Sequence, residues 1–346
     1  MNAAGFNNKK MKTYKNLFQE VCKYENLYSA YLKARRGKNG SEEVLRFTYN
    51  LEDELFKLQN ELKNQTYKTG KYRHFIIFEP KERKISALPF RDRIIHHAIC
   101  SVIEIIFNFK FIYDSYACRK GKGTHKGINR IQKFMRKTGD NYYVLKCDVS
   151  KYFLSVDHEI LKQIIREKIA DKKLLQLLDG IIDSTNSERG IPIGNLTSQL
   201  FANIYLNKLD EYIKYNLKIK YYVRYMDDFV ILHESKQEIH QIKGDIRLHL
   251  ASMKLILHPK KANIFPLSLG IDFLGYKIFS SYRLVRKSTI KRFLKNTKRK
   301  FKEYSLGIIG FDKLMESLNS WEAYMSHADS YALKKDLYQR YFKNVI

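Results

Sequence analysis

Tyr225-Met226-Asp227-Asp228 is flanked by Tyr221-Tyr222-Val223-Arg224 on one side and Phe229-Val230-Ile231-Leu232 on the other. β-Branched and aromatic residues favour strands and Asp favours turns. The stretch therefore predicts a β-hairpin with two adjacent carboxylates at its tip. Like charges this close repel unless a cation offsets them, and hard oxygen donors suit Mg²⁺. Taken alone, an Asp-Asp pair in a turn is most often a plain acidic turn. A third carboxylate reverses that balance. Asp148 ends the apolar stretch Tyr142-Tyr143-Val144-Leu145-Lys146-Cys147, which reads as a buried strand. A helix-like segment follows, beginning near Asp157-His158-Glu159. Two strands that each deliver a carboxylate to one edge of a sheet make a two-metal site. Such a site holds its ions about 3.5–4 Å apart and clamps the attacking and leaving oxygens of a phosphoryl transfer.

Composition points the same way. The 346 residues carry 64 Lys+Arg against 36 Asp+Glu, a formal charge of +28, which is an electrostatic footprint for nucleic acid. The charge is clustered: Arg283 to Lys302 holds ten basic residues and no acidic one. Within and just beyond that stretch Ile290, Phe293, Leu294, Thr297, Phe301 and Tyr304 recur at helical spacing. The pattern predicts an amphipathic helix with a core face and a basic face. Hydrophobic residues at 44% and only five prolines exclude a disordered chain and predict closely packed sub-domains around ample core. Cys22, Cys100, Cys118 and Cys147 are scattered without paired zinc spacing and read as reduced, mostly buried thiols of a cytosolic protein. The N-terminus, with Lys9, Lys10, Lys12 and Lys15, has no signal-peptide apolar region. The most apolar stretch, Ile94 to Phe107, carries His96, His97 and Glu104 and is too short to span a bilayer.

The order of elements is legible in outline. A helix begins at Ser41-Glu42-Glu43, and Val44 through Leu62 give it an apolar face to about residue 64. Residues 71–90 predict a strand pair, Tyr72 to Phe78 and Lys84 to Leu88, joined by Pro80-Lys81-Glu82-Arg83. Pro89-Phe90-Arg91-Asp92-Arg93 leads into a helix through Ile106. Asp114 to His125 combines Arg119, Lys120 and Lys122 with Gly121 and Gly123. Gly lets a backbone approach phosphate closely, and the following helix offers its N-terminus to an anion. Gly190-Ile191-Pro192-Ile193-Gly194-Asn195-Leu196-Thr197-Ser198-Gln199 precedes a helix carrying Leu200, Phe201, Ile204, Leu206 and Leu209.

These motifs, in this order, resemble those of reverse transcriptases. Asp148-Val149-Ser150-Lys151-Tyr152-Phe153 is similar to the first catalytic motif of the palm and Tyr225-Met226-Asp227-Asp228 to the second. The resemblance runs from about Tyr14 to the Ser320-Trp321 region. Where most of the family carries Gln before the Gly and Ser-Pro at the end of the loop-helix motif, this chain has Ile193 before Gly194, and Ser198-Gln199. With Arg91-Asp92-Arg93-Ile94-Ile95-His96-His97, that departure resembles the diversity-generating retroelement class among bacterial reverse transcriptases of group II intron and retron type.

The resemblance implies an α+β, right-hand polymerase fold with fingers, a ferredoxin-like palm and a helical thumb. It divides the chain into a helical N-terminal extension (1–70), fingers (71–141), a palm with part of the fingers interleaved (142–282) and a thumb (283–346). It implies that Asp148 and Asp227 hold two Mg²⁺ ions, with the Val149 carbonyl and Asp228 in support. Lys81 and Arg83 grip the incoming triphosphate, with Lys84 the rival for the second role. Phe153 is a steric gate under the sugar, and Ile193, Gly194 and Gln199 shape the nucleotide pocket. His258-Pro259-Lys260-Lys261 supplies the Lys, 260 or 261, that protonates pyrophosphate. Phe273-Leu274-Gly275-Tyr276 is the primer-grip turn. Arg119, Lys120 and Lys122 lie along the template. The basic helix bearing Arg286, Lys287, Lys291, Arg292 and Lys295 tracks duplex phosphates. Trp321, His327 and Tyr331 are thumb core or template contacts.

The implied activity is RNA-directed DNA synthesis from template RNA, a DNA or RNA primer and dNTPs, in the cytoplasm of a bacterium or from a phage gene and away from membranes. The implied role is error-prone copying in a retroelement with mutagenic retrohoming, partnered by a small helical accessory protein. The alternative role is antiphage defence, copying a dedicated noncoding RNA. A group II intron enzyme ranks lower, for want of a maturase or endonuclease extension, and the stretch after the thumb is too short for a ribonuclease H domain. A non-enzymatic nucleic-acid binder is disfavoured because all three carboxylates remain.

Overall fold

The computed structural model describes residues 13–78, 81–337 and 339. Lys9, Lys10, Lys12, the turn residue Pro80 and the last stretch of the expected thumb lie outside the described residues. In chain order the elements are α1 (Leu17–Cys22), α2 (Tyr24–Ala34), α3 (Glu42–Tyr49), α4 (Leu51–Lys63), β1 (Arg73–Ile77), β2 (Arg83–Ala87), α5 (Phe90–Asn108), α6 (Thr124–Thr138), β3 (Tyr143–Asp148), α7 (Tyr152–Ser155), α8 (His158–Arg166), α9 (Lys172–Ile182), α10 (Leu196–Glu211), β4 (Tyr221–Tyr225), β5 (Asp228–His233), α11 (Lys236–Ser252), β6 (Asn263–Pro266), β7 (Ile271–Phe273), β8 (Tyr276–Ile278), β9 (Arg283–Val285), α12 (Lys287–Ser305), α13 (Phe311–Met325) and α14 (Tyr331–Leu337). This is an α+β polymerase fold. No helix among the described residues is long and apolar enough to cross a membrane.

Two details differ from the sequence reading. The helix expected from residue 41 to 64 is two helices, because Asn50 (φ −111°, ψ 41°) leaves helical geometry between α3 and α4. Asn competes for backbone hydrogen bonds and so favours helix ends. Glu52, Asp53 and Glu54 then fall in the first turn of α4, where the helix dipole favours negative charge. The acidic hairpin also closes differently. Tyr225 pairs with Asp228, so Met226 and Asp227 form the turn and Asp228 is the first residue of β5. Met226 takes the left-handed conformation (φ 55°) that a two-residue hairpin turn demands.

The chain divides into two compact units. One comprises Met1–Tyr113, Asp148–Lys218 and Gly244–Pro259. Its axis is α5, whose Ile94, Ile95, Ala98, Ile99 and Ile103 are fully buried, with α1, α2, α3 and α10 packed around it. Asp92 and His96 are buried on the same helix. The Asp92 carboxylate accepts from the Tyr67 hydroxyl (2.6 Å) and the Gly70 N–H (3.1 Å). His96 Nδ1 lies 2.8 Å from Thr197 Oγ1 on α10, and burial pushes its pKa down to about 3, so it joins α5 to α10 as a neutral ring. The β1–β2 hairpin belongs to this unit and leaves Phe75, Ile76, Ile77 and Phe78 largely exposed.

The other unit comprises Asp114–Cys147, Ile219–Lys243 and Lys260–Ile346. It contains a four-stranded sheet ordered β4-β5-β3-β6 and a three-stranded sheet ordered β7-β8-β9. One core joins them: Val144, Val223 and Val230 from the first sheet, Phe273, Tyr276 and Ile278 from the second, Ile128 and Ile131 from α6 and Met325 from α13. Ile290, Leu294 and Trp321 pack on that core. The Trp321 ring stacks on Phe293 of α12 at 4.0 Å, and His327 stacks on His125 at 3.6 Å. Trp321 is half-buried in this packing, whereas His327 is exposed on one side of its stack and Tyr331 is 78% exposed.

Leu274 (φ 49°) and Gly275 (φ 90°) make the turn between β7 and β8. A Cβ on Gly275 would overlap the Tyr324 hydroxyl, so two separate constraints demand glycine. Gly275→Ala is expected to cost more than the about 1–2 kcal/mol of a left-handed L-residue alone. Gly307→Ala, at φ 71° with nothing within 4 Å, should cost only that dihedral part. Thermal denaturation of both variants checks this; equal losses would contradict the packing account.

Candidate active site

In the unit that holds the sheets, β5 starts at Asp228 and neighbours β3. Lys146 on β3 brings its Nζ to 3.8 Å from Asp228 Oδ1, so the last residues of β3 run beside the start of β5. The turn preceding Asp228 rests on a residue that pattern reading passed over. Arg224 is 0% exposed, and its Nη1 donates to the Met226 carbonyl at 3.0 Å. Its backbone bonds the start of the basic loop: Arg224 N–H donates to Asp114 O, and Tyr116 N–H donates to Arg224 O, both at 2.9 Å. Asp114 is held in turn by Arg130 (2.7 and 3.0 Å) and the Tyr116 hydroxyl (2.9 Å). Burying a guanidinium is costly without full pairing. This layer is therefore built to fix the Met226-Asp227 turn.

The basic loop folds back on this support. Arg119 donates to the Ser115 carbonyl (2.9 Å). Lys122 lies 5.1 Å over the Tyr116 ring, and burial, together with Arg119, holds its pKa below the usual lysine value. Lys120 is exposed. Thr124, the first residue of α6, donates to the Tyr225 hydroxyl at 3.2 Å. On α12 the side chains of Lys287, Lys291, Arg292 and Lys295 are exposed. Arg286 differs: it pairs with Asp272, and its N–H donates to the Gly275 carbonyl, which ties the start of α12 to the β7–β8 turn. Lys260 is exposed and Lys261 half-buried.

In the helical unit, the backbone from Asp148 to Ser150 is paired with residues 256–258. His258 N–H donates to Asp148 O and Ser150 N–H to Ile256 O, each at 2.8 Å, and Val149 bridges Leu257. The His-Pro-Lys-Lys motif therefore begins as a brace for the Asp148 backbone. Phe153 is half-buried on α7, edge-on to Tyr152 at 5.7 Å, and its carbonyl accepts from Ile191 N–H at 2.8 Å. The same loop clasps the β1–β2 hairpin: Ser86 N–H donates to Ile193 O at 2.9 Å. Gly194 (φ 130°) passes so close that a Cβ would lie 2.8 Å from Ser86 O. The Asn195 side-chain amide donates to the Tyr72 hydroxyl (3.1 Å). Ile193 is half-buried and Gln199 exposed. Lys81, Arg83 and Lys84 are all exposed at or beside the hairpin end, with Arg83 opposite Ile77 and Lys84 opposite Ile76.

Among the described residues no group of three or more His, Cys, Asp or Glu side chains is gathered to hold a metal. The donor chemistry of the motif residues nevertheless fits a divalent cation, since carboxylates and a main-chain carbonyl are hard oxygen donors suited to Mg²⁺.

The fold is that of a polymerase palm with its flanking helices. Residues 67–278, well over half of the chain, match the family described as reverse transcriptase (RNA-dependent DNA polymerase), and the chain belongs to that family. It is 27% identical over 241 residues to protein YkfC of Escherichia coli, covering 57% of this chain and 63% of that protein. It is 26% identical over 353 aligned positions to the group II intron-encoded protein LtrA of Lactococcus lactis, covering 80% of this chain and 57% of LtrA. The chain thus spans less than two thirds of these relatives. The apo telomerase of Candida tropicalis shares the fold at a TM-score of 0.51, with 12% identity over 67% of this chain and 52% of that one.

Arg224 carries the prediction here. Arg224→Met removes the donor to Met226 O and should lower the rate of DNA synthesis by tenfold or more, while KM for dNTP and affinity for RNA stay near the parent values. A measured kcat and KM pair in which only KM changes would exclude a role in fixing the turn.

Proposed function

We propose that the chain is an RNA-directed DNA polymerase that builds cDNA on an RNA template. The observation that carries this reading is the hairpin of β4 and β5, which sets Asp227 in its turn and Asp228 at the first position of β5, within a chain of the reverse transcriptase family. Asp148 and Asp227 would hold two Mg²⁺ ions, helped by Asp228 and the Val149 carbonyl. Bound there, the ions would lower the pKa of the primer 3′-hydroxyl and offset triphosphate charge. The chain's own residues do the rest. Lys81 and Arg83, with Lys84 close by on the same hairpin, offset phosphate charge on the incoming nucleotide, and Lys260 or Lys261 protonates the leaving pyrophosphate. Phe153 lies under the sugar and rejects a 2′-hydroxyl. Phe273, Leu274 and Gly275 steady the primer end. The exposed cations of α12 and Lys120 bind backbone phosphate, giving affinity without reading sequence. Base pairing to the template selects the nucleotide.

Replacing either Asp227 or Asp148 by Ala should abolish Mg²⁺-dependent primer extension and leave RNA binding nearly intact, because the phosphate contacts lie on other side chains. Normal extension by either variant would remove the catalytic assignment.

The biological role we propose is error-prone copying in a diversity-generating retroelement, in which a small helical accessory protein takes part. Ile193, Gly194, Ser198 and Gln199 support it: a branched alkyl group replaces the amide most of the family carries beside the incoming nucleotide. A hydrogen bond is worth about 0.5–1.5 kcal/mol, and about 1.4 kcal/mol is tenfold in rate, enough to change error frequency. Similarity to LtrA over 80% of the chain favours a second reading, an intron-encoded polymerase. Ile193→Gln should lower misincorporation opposite template adenine more than opposite other bases, read by sequencing cDNA made on one defined RNA. A parent enzyme without adenine bias on its native RNA would point instead to the intron role or to antiphage defence.

A further inference from the structure

Two cations flank the acidic turn, and they act differently. Arg224 is fully buried and donates to the Met226 carbonyl at 3.0 Å, so it fixes the shape of the turn. Lys146 comes only to 3.8 Å from Asp228 Oδ1, beyond the roughly 2.7–3.2 Å of an N–H···O hydrogen bond. A lysine ammonium is a compact point charge with no preferred bonding plane. Lys146 therefore acts on Asp228 through charge and not through a directed bond. The two side chains are 26% and 25% exposed, sheltered enough that salt screens them less than a surface pair.

The approach is set by the sheet. β3 lies between β5 and β6, and Lys146 is paired with Asn263 of β6. Asp228 is paired with Tyr225, which fixes the first rung of β5. Leu145 and Cys147, on either side of Lys146, are 0% exposed, as is Phe229 beside Asp228. A slip of either strand by one residue would bury the charge and expose its apolar neighbour. Lys146 and Asp228 are thus set beside each other by register.

The consequence is electrostatic. A nucleoside triphosphate carries more negative charge than one divalent cation offsets, so the complex of the two is an anion. A protein cation beside the acidic turn repels a free metal ion and attracts that complex. We propose that Lys146 is a specificity-determining residue of the polymerase site. It weakens the capture of free divalent cation by Asp227 and Asp228 and favours the cation that arrives on a nucleoside triphosphate. The inference rests on the polymerase reading and adds to it a residue that selects the form in which metal enters.

The test measures two quantities on the purified full chain. Binding of free Mn²⁺, a probe suited to carboxylate donors, is read from its electron paramagnetic resonance signal without nucleotide or nucleic acid. KM for dNTP is read from single-nucleotide extension on primed RNA. Lys146→Met, and Lys146→Gln as a second neutral variant, should bind Mn²⁺ about three- to tenfold more tightly, of the order that one unit charge exerts across a few ångströms of partly solvated protein. Their KM for dNTP should rise severalfold. Lys146→Arg should match the parent in both. A brace of the turn would behave differently, because its loss would weaken Mn²⁺ binding as well as nucleotide binding. Asp227→Ala should lose the Mn²⁺ signal change, which locates the probe. In an Asp228→Asn background Lys146→Met should change Mn²⁺ affinity much less, since the carboxylate it offsets is gone. Mn²⁺ binding that is unchanged or weaker in the neutral variants overturns the proposal, and so does a KM for dNTP that fails to rise. A parent that neither binds Mn²⁺ nor extends a primer removes the polymerase reading and this proposal with it, whereas a parent that does both beside indifferent neutral variants overturns the proposal alone.

Discussion

The guanidinium of Arg224 lies under the turn that carries Asp227, fully out of solvent and bonded to the Met226 carbonyl. A carboxylate pair at the end of a hairpin repels itself, and without a rigid support the turn would relax to separate the charges. The support is layered: Arg224 holds the turn, the 114–116 backbone holds Arg224, and Arg130 with Tyr116 holds Asp114. The basic loop and the start of α6 are folded onto the same strand. The acidic turn and the basic loop are therefore positioned by one polar layer.

The helical unit follows the same logic with different chemistry. Asp92, buried at the start of α5, fixes the segment that leads into the β1–β2 hairpin, and neutral His96 ties α5 to Thr197 at the start of α10. The loop between these anchors lies against β2 so closely that only glycine fits at 194. Ile193 is held through its backbone carbonyl by the Ser86 N–H, with its side chain half-buried.

Most of this was legible in the sequence. A continuous apolar run predicted β3, β-branched and aromatic residues predicted β4 and β5, and the spacing of Ile290, Phe293, Leu294 and Thr297 predicted α12. Three things escaped. Asn50 splits a helix whose hydrophobic period is continuous across it, because the break depends on one backbone geometry and not on the period. Arg224 reads as a polar residue in a strand, and nothing in periodicity distinguishes a surface arginine from a buried one that braces a turn; its position two residues before a turn expected to carry charge was the available signal. Asp92 and His96 lie in a stretch noted for family likeness, but their roles arise from partners distant in sequence, Tyr67, Gly70 and Thr197.

The central claim is that these carboxylate-bearing strands serve metal-dependent DNA synthesis on RNA. The most direct measurement is extension of a labelled primer annealed to a defined RNA by the purified full chain with dNTPs, with and without Mg²⁺. The account predicts template-directed extension with Mg²⁺ that stops on chelation and resumes when Mg²⁺ is restored. Extension that persists after chelation, or none with any divalent cation on RNA that the chain demonstrably binds, would contradict it.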